Sequence, residues 1–188
     1  ELIILDANYP SGRGWRRAYC EIASDILAKS NRPVLIVPGN GRPIQRILLC
    51  DSGAGNAPLL NRLTTQVAKV IAGEEEITVL HVMSQISAGP GIRGTQLRAD
   101  AETLMAEHAP EGELLAEDLR ALQHPGLHPH PKVRHGMVVD EILAEASSGD
   151  YDLVIIGARR GERWQRLLLA DLARKIIAQI DRPLLVVP

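Results

Sequence analysis

The sequence is poor in the residues on which several functional classes depend. Phenylalanine is absent and aromatic residues make up only 3% of the 188 residues, which argues against a surface that stacks nucleic-acid bases. A formal net charge of −2 argues against nucleic-acid binding by bulk positive charge. No apolar stretch approaches the roughly 18 residues of a membrane-spanning helix, and no secretory signal is visible. These absences favour a globular protein that binds no nucleic acid and does not insert into a membrane.

Cysteine is also scarce. The two cysteines, Cys20 and Cys50, both lie in apolar stretches and form no C-x-x-C pair. This pattern favours buried free thiols over a disulfide framework or a thiolate metal site. We therefore expect a reducing, cytoplasmic compartment.

An internal repeat is the clearest positive signal in the sequence. Residues 1–38 and 152–188 align with one single-residue gap, and both end in Arg-Pro, four aliphatic residues and a final proline. Each copy predicts a strand, a loop, a helix and a second strand, because short aliphatic runs are typical of strands buried on both faces. The predicted strands of the two copies are Leu2–Leu5, Val34–Val37, Leu153–Ile156 and Leu184–Val187.

Strands and helices also alternate between the two copies. The predicted elements are a strand at Arg46–Cys50, a helix at Ala57–Ile71, a strand at Ile77–Met83, helical structure over Thr95–Gln123 interrupted near Pro110, a connector at His124–Pro131, a strand at Lys132–His135, and helices at Val138–Ser147 and Arg166–Ile180. Such alternation predicts an α/β fold, a doubly wound five-stranded parallel sheet with right-handed crossovers.

The repeat also predicts the domain organisation. Residues 44–188 form one complete domain, residues 39–43 form a linker, and residues 1–38 are the last third of another copy. A strand pattern at the first residues suggests that the chain continues upstream. A lone strand-helix-strand piece leaves a sheet edge uncovered, so this piece is expected to pack on missing chain, on the second copy or on a neighbouring molecule.

Five stretches occur in an order that points to a known family. They are Arg46–Ser52, Val79–Val82, Val133–Gly136, Tyr151–Gly157 and Arg182–Val187. This ordered set resembles the universal stress protein family over nearly the whole chain. The resemblance implies the adenine nucleotide alpha hydrolase-like fold and a tandem protein with a truncated first copy. It also implies pairing through the fifth strands, Val34–Val37 and Leu184–Val187, in a pseudo-dimer or a homo-oligomer.

Many members of that family bind ATP, so the resemblance implies a site for ATP or AMP. The family's phosphate motif has Gly, two residues, Gly, nine residues, and then Gly followed by Ser or Thr. Here three residues, not two, separate Gly157 from Gly161, and Ala170 and Asp171 replace the later pair. The Asp171 carboxylate is expected to repel phosphate. The neighbouring arginines, Arg160 among them, either bind phosphate or form a solvated face.

The remaining residues implied for this site lie at strand ends. Asp51, followed by Ser52, either contacts the adenine edge or forms an Asx turn or a helix cap. Val82 and Met83 either meet the base or pack the end of their strand. Gly136 follows the third strand of the complete domain.

The sequence predicts neither catalysis nor a metal site. His128-Pro-His130 lies in the predicted connector, with no cysteine or carboxylate at ligand-like spacing, and no catalytic triad or P-loop is found. Two functions remain open: a nucleotide-sensing regulatory module of the stress response, and an interaction module without nucleotide, such as a regulatory domain of a membrane transporter. A hydrolase would need a metal-binding acid and a water-positioning group, and neither can be assigned.

Overall fold

Seven strands and five helices make up the described part of the chain. The computed structural model describes residues 2–6, 13–30, 32–38, 43–51, 75–83, 98–123, 125–157 and 163–187. The strands are β1 (Ile3–Asp6), β2 (Val34–Val37), β3 (Arg46–Asp51), β4 (Glu75–Met83), β5 (Leu127–His135), β6 (Leu153–Gly157) and β7 (Leu184–Val187). The helices are α1 (Arg13–Lys29), α2 (Ala101–Ala106), α3 (Pro110–Ala121), α4 (Val138–Ser148) and α5 (Arg163–Ile177).

The strands form one sheet in the order β1-β2-β7-β6-β3-β4-β5. The five strands from β7 to β5 are parallel to one another, and the fold class predicted from the sequence is confirmed. The first-copy piece extends this sheet, because β2 pairs antiparallel with β7 and β1 pairs parallel with β2. The two strands named above as fifth strands are thus hydrogen-bonded to each other within this chain.

Helices cover both faces of the sheet, as a doubly wound fold requires. Neighbouring residues of a strand point to opposite faces. Leu48 therefore packs in the cluster that also contains residues of α1, α4 and α5, whereas Leu49 packs in the cluster beneath α3. Both clusters run across the sheet, and this explains why the inner strands β3, β6 and β7 are rich in aliphatic residues. No described helix combines the length and apolar composition needed to cross a membrane.

The helical segment between β4 and β5 forms two helices that pack as core. Asp100 caps α2 by accepting a hydrogen bond from the Thr103 N–H at 2.8 Å, and Pro110 opens α3, where its missing N–H is tolerated. Leu104 and Leu115 are fully buried, so this segment packs against the sheet.

The predicted connector at His124–Pro131 is wrong for most of its length. Strand β5 begins at Leu127 and pairs with β4 as far as His135, five residues earlier than the strand predicted at Lys132–His135. Pro129 and Pro131 indicate a loop when only the local sequence is considered. Because β5 is an edge strand of the sheet, the missing proline N–H groups are tolerated there.

Of the other predicted helices, one has different bounds in the structure and one falls on residues that the structure does not describe. Helix α5 spans Arg163–Ile177, about three residues earlier at each end than the predicted Arg166–Ile180. The predicted helix at Ala57–Ile71 lies outside the described residues.

Candidate functional site

The carboxyl ends of the parallel strands form the edge where ligands bind in α/β sheets. Asp51 ends β3 and Gly157 ends β6, and these two strands are paired in register. Met83 ends β4 beside His135 of β5. The structure therefore brings the backbone of Asp51, Met83 and Gly157 to the same edge. Ser52, Arg160 and Gly161 lie outside the described residues, and only the backbone of Asp51 is described.

The two residues predicted to meet a base face opposite sides of the sheet. The Met83 side chain is 6% exposed and packs with Leu104 and Ala109, so it contributes to the core beneath α2. Val82 is partly buried against the core on the other face. Strand-end packing therefore accounts for the environment of Met83.

Gly136 continues this edge directly after β5. Its N–H donates to the Met83 carbonyl at 3.2 Å, which holds the turn against the neighbouring strand. A Cβ atom at this position would lie 2.5 Å from Oε1 of Glu141. The Glu141 carboxylate in turn accepts a hydrogen bond from Nε of Arg134 at 2.9 Å. Gly136 thus allows a charged side chain to pack directly beneath the edge.

A second carboxylate, Glu145, lies one turn further along α4 and is 1% exposed. It accepts hydrogen bonds from Lys132 Nζ at 2.8 Å, Arg134 at 3.2 Å and the Tyr151 hydroxyl at 2.7 Å. With Glu141, the group contains two cations and two carboxylates. A buried charge is tolerated when it is paired and hydrogen-bonded in this way.

The protonation of this group follows from burial and from its partners. Burial alone raises the pKa of Glu145, but hydrogen bonds from Lys132 and Tyr151 and the charges of Lys132 and Arg134 outweigh it, so the pKa lies below its usual value. Burial raises the pKa of Tyr151 to about 12; the Glu145 carboxylate, which accepts a hydrogen bond from the hydroxyl, raises it further, and a hydrogen bond with Thr78 lowers it. The charged carboxylate and the neutral phenol are therefore the forms present near neutral pH.

The two residues aligned with the end of the phosphate motif lie in the interior of α5. Ala170 and Asp171 are the eighth and ninth residues of this 15-residue helix. At 1.5 Å per residue, Asp171 lies about 12 Å along the helix axis from its first residue. Backbone N–H groups at such positions donate to the carbonyl four residues earlier. They are therefore not available to a phosphate group.

The Asp171 carboxylate also forms ion pairs with two side chains of its own helix. It lies 2.8 Å from Arg174 and 2.8 Å from Lys175, and the hydrogen bonds from these two side chains lower its pKa. The helical backbone is therefore a stronger obstacle to phosphate binding at this position than the charge of the carboxylate.

His135 also lies at this edge, as the last residue of β5. Its Nε2 atom lies 2.9 Å from the Ala99 carbonyl, which ties β5 to the start of α2. Its Nδ1 atom is buried and has no hydrogen-bond partner among the described residues. The alternation of β5 places His135 on the α2 face, the same face as Val133.

Comparisons with known proteins give a consistent result. The sequence model of the universal stress protein family matches residues 44–188, and no curated protein matches the chain. A universal stress protein from Archaeoglobus fulgidus DSM 4304 has a similar structure, with 17% identity and a TM-score of 0.58 over 98% of this chain and 59% of that one.

Two further solved structures are similar. A protein of unknown function from Pseudomonas aeruginosa PAO1 has 18% identity and a TM-score of 0.62 over 99% of this chain and 62% of that one. A universal stress protein family member from Burkholderia pseudomallei has 14% identity and a TM-score of 0.52 over 79% of this chain and 99% of that one. This chain therefore spans about three fifths of each of the first two structures. At these low sequence identities, the structural similarity supports a shared fold.

Proposed function

Because this chain belongs to the universal stress protein family, we propose that it is a regulatory module that works by associating with a second copy of itself. The edge of the described sheet at β1 is the observation that carries this proposal. Strands β2 and β7 each have two neighbours in the sheet, so they offer no free edge. The free edges of the described sheet are β1 and β5, and only β1 lacks proline.

The surface around β1 supports association because it is apolar. Leu2 is 44% exposed and Ile4 is 62% exposed, although both belong to a segment with a core-strand sequence. An exposed apolar edge strand is a ready template for strand pairing. The antiparallel pairing of β2 with β7 shows that strands of the two copies already join in this way.

Helix α1 has a second exposed apolar surface on the same piece of chain. Counting back from the final prolines of the two copies, Ile22 corresponds to Leu172. Leu172 is partly buried in the core and belongs to α5, which packs between α1 and α4, whereas Ile22 is 58% exposed. Ile22 and Ile26 line a groove of about 470 Å³. The first copy thus presents both a strand and a helix face to a partner.

We expect Ile4→Lys to weaken self-association by at least about tenfold. Burying an isoleucine side chain is worth about 1.5–3 kcal/mol, and lysine on an edge strand opposes pairing. Sedimentation velocity over a range of concentrations measures the dissociation constant. Val138→Lys is the matched control, because Val138 is 37% exposed and follows β5 at the opposite end of the sheet. A wild-type chain that stays monomeric throughout, or equal effects of the two substitutions, would contradict the proposal.

Adenine-nucleotide sensing is the second candidate function. It is favoured by the position of Asp51 and Gly157 at one edge of the sheet. It is opposed by the interior position of Ala170 and Asp171 in α5, which leaves no N–H group there for a phosphate. Nucleotide sensing is therefore the second candidate. A cytoplasmic location stays a prediction.

We expect calorimetric titration of ATP, with and without magnesium, to show no binding to the wild-type chain. The Asp171→Ser variant is expected to behave in the same way, because the serine N–H would still donate within α5. Glu21→Ser is the matched control, since Glu21 corresponds to Asp171 in the first copy and is exposed. Micromolar binding to the wild-type chain would establish nucleotide sensing. Binding to Asp171→Ser alone would show that the carboxylate, and not the helix, blocks the site.

A further inference from the structure

Two histidines lie on the same face of the edge strand β5. His128 and His130 are both exposed, and the residues between and beside them are partly buried. Residues two apart in a strand point to one face and are about 7 Å apart along it. Two histidines four residues apart on a helix, about 6 Å along its axis, are a known pair of zinc ligands. The spacing in β5 is therefore short enough for two imidazoles to reach one metal ion.

Prolines restrict the backbone at both histidines. His128 precedes Pro129 and His130 precedes Pro131, and a residue before proline is held in extended conformation. Each proline also has a fixed φ angle. The four residues therefore have less backbone freedom to lose when a ligand binds, which favours binding by pre-organisation.

A carboxylate lies beside this pair in the sheet. Glu76 of β4 is the register partner of His128, and its side chain is 66% exposed, with Arg46 at 3.9 Å. The Lys132 side chain, next along the same face of β5, is paired with Glu145 at 2.8 Å. The nearest lysine charge is thus compensated, and an acidic oxygen is available from the neighbouring strand.

We propose that His128 and His130 form a two-imidazole chelate for a divalent transition-metal ion such as Cu²⁺, Ni²⁺ or Zn²⁺. Imidazole nitrogen suits these ions. The described residues contain no group of three His, Cys, Asp or Glu side chains already arranged as a metal centre, so water completes the coordination of this chelate. Glu76 contributes negative charge beside the metal. The proposal is independent of the association proposed above.

The chelate is tested by titrating the full chain with CuCl₂, NiCl₂, ZnCl₂ and MgCl₂ in a calorimeter. We expect one ion per chain, tighter binding of Cu²⁺ than of Ni²⁺ or Zn²⁺, and no binding of Mg²⁺, which prefers oxygen ligands. Imidazole C–H signals of His128 and His130 are expected to change together in NMR spectra.

Single substitutions separate this site from general histidine binding. His128→Gln and His130→Gln are each expected to lower affinity by at least about tenfold, since even outer-shell partners of metal ligands are worth about 10–100-fold. Glu76→Gln is expected to lower it about fivefold, from the loss of one nearby charge. His108→Gln is the matched control, because the His108 side chain is 82% exposed and lies in the turn between α2 and α3.

Two results would overturn the proposal. Wild-type affinity in either His128→Gln or His130→Gln would exclude the chelate, and so would an equal loss in His108→Gln. Both strand variants change exposed side chains, so unchanged circular dichroism is expected and would confirm that a loss of binding is local.

Discussion

Replacing Glu145 by alanine is expected to lower the free energy of unfolding by about 3 kcal/mol. The carboxylate is 1% exposed, and the substitution removes its hydrogen bonds with Lys132, Arg134 and Tyr151. Hydrogen bonds to charged groups contribute about 1.5–3 kcal/mol each. Removing one member of a fully buried pair costs about 3–5 kcal/mol. The Lys132 and Arg134 side chains are 48% and 28% exposed, so both cations can turn towards water. We therefore expect a loss of stability at the lower end of this range.

Urea denaturation followed by circular dichroism measures this change. Ser147→Ala is the matched control, because Ser147 lies two residues further along α4 and is exposed. Surface substitutions of this kind usually change stability by less than about 0.5 kcal/mol. A Glu145→Ala variant as stable as Ser147→Ala would show that the group of charges contributes nothing to the fold.

The same substitution has a pH dependence of known sign. The folded-state pKa of Glu145 lies below its ordinary value, so the carboxylate stabilises the fold above the unfolded-state pKa. This contribution is lost as the pH falls through the folded-state pKa. The stability difference between wild type and Glu145→Ala is therefore expected to shrink below about pH 4.3, the ordinary glutamate pKa.

Gly112→Ala is expected to destabilise the protein by about 2 kcal/mol. A Cβ atom at this position in α3 would lie 2.1 Å from the backbone oxygen of Leu104 in α2. Backbone atoms cannot move aside by a change of rotamer, so the two helices must separate. Overpacking of this kind costs about 1–3 kcal/mol. The cost is expected to exceed the gain of about 1 kcal/mol that alanine brings to a helix interior.

Thermal and urea unfolding of Gly112→Ala check this prediction. Glu117→Ala in the same helix is the control, because Glu117 is exposed and its substitution changes only the surface of α3. The control is expected to remain within about 0.5 kcal/mol of wild type. A Gly112→Ala variant more stable than wild type would mean that helix propensity decides this position and that α2 and α3 are not in close contact.

Local sequence patterns were a good guide to the buried strands and a poor guide to the edge strand. β3, β6 and β7 agree with their predicted bounds to within one residue, because an aliphatic run in this context has few alternatives to a buried parallel strand. β5 was predicted five residues too short, because proline and histidine indicate a loop unless the strand is known to lie at an edge.

The candidate site was predictable only in part for a similar reason. The strand ends at Asp51, Gly136 and Gly157 follow from the alternation of elements, since the ends of parallel strands meet at one edge. The grouping of Lys132 and Glu145 does not follow, because it joins a strand to the helix after it at a spacing that no local motif marks. The interior position of Asp171, by contrast, follows already from the helix predicted at Arg166–Ile180, because this residue lies beyond its first turn.

The internal repeat is visible in the sequence, and local hydrophobic patterns suffice to predict the parallel α/β architecture and the residues of the buried strands. The three-dimensional structure was needed to show that β2 pairs with β7, that β1 and β5 are the edges of the described sheet, and that Glu76 lies beside His128. These features depend on strand order and register. Both are set by contacts between segments far apart in the chain, which no local pattern encodes.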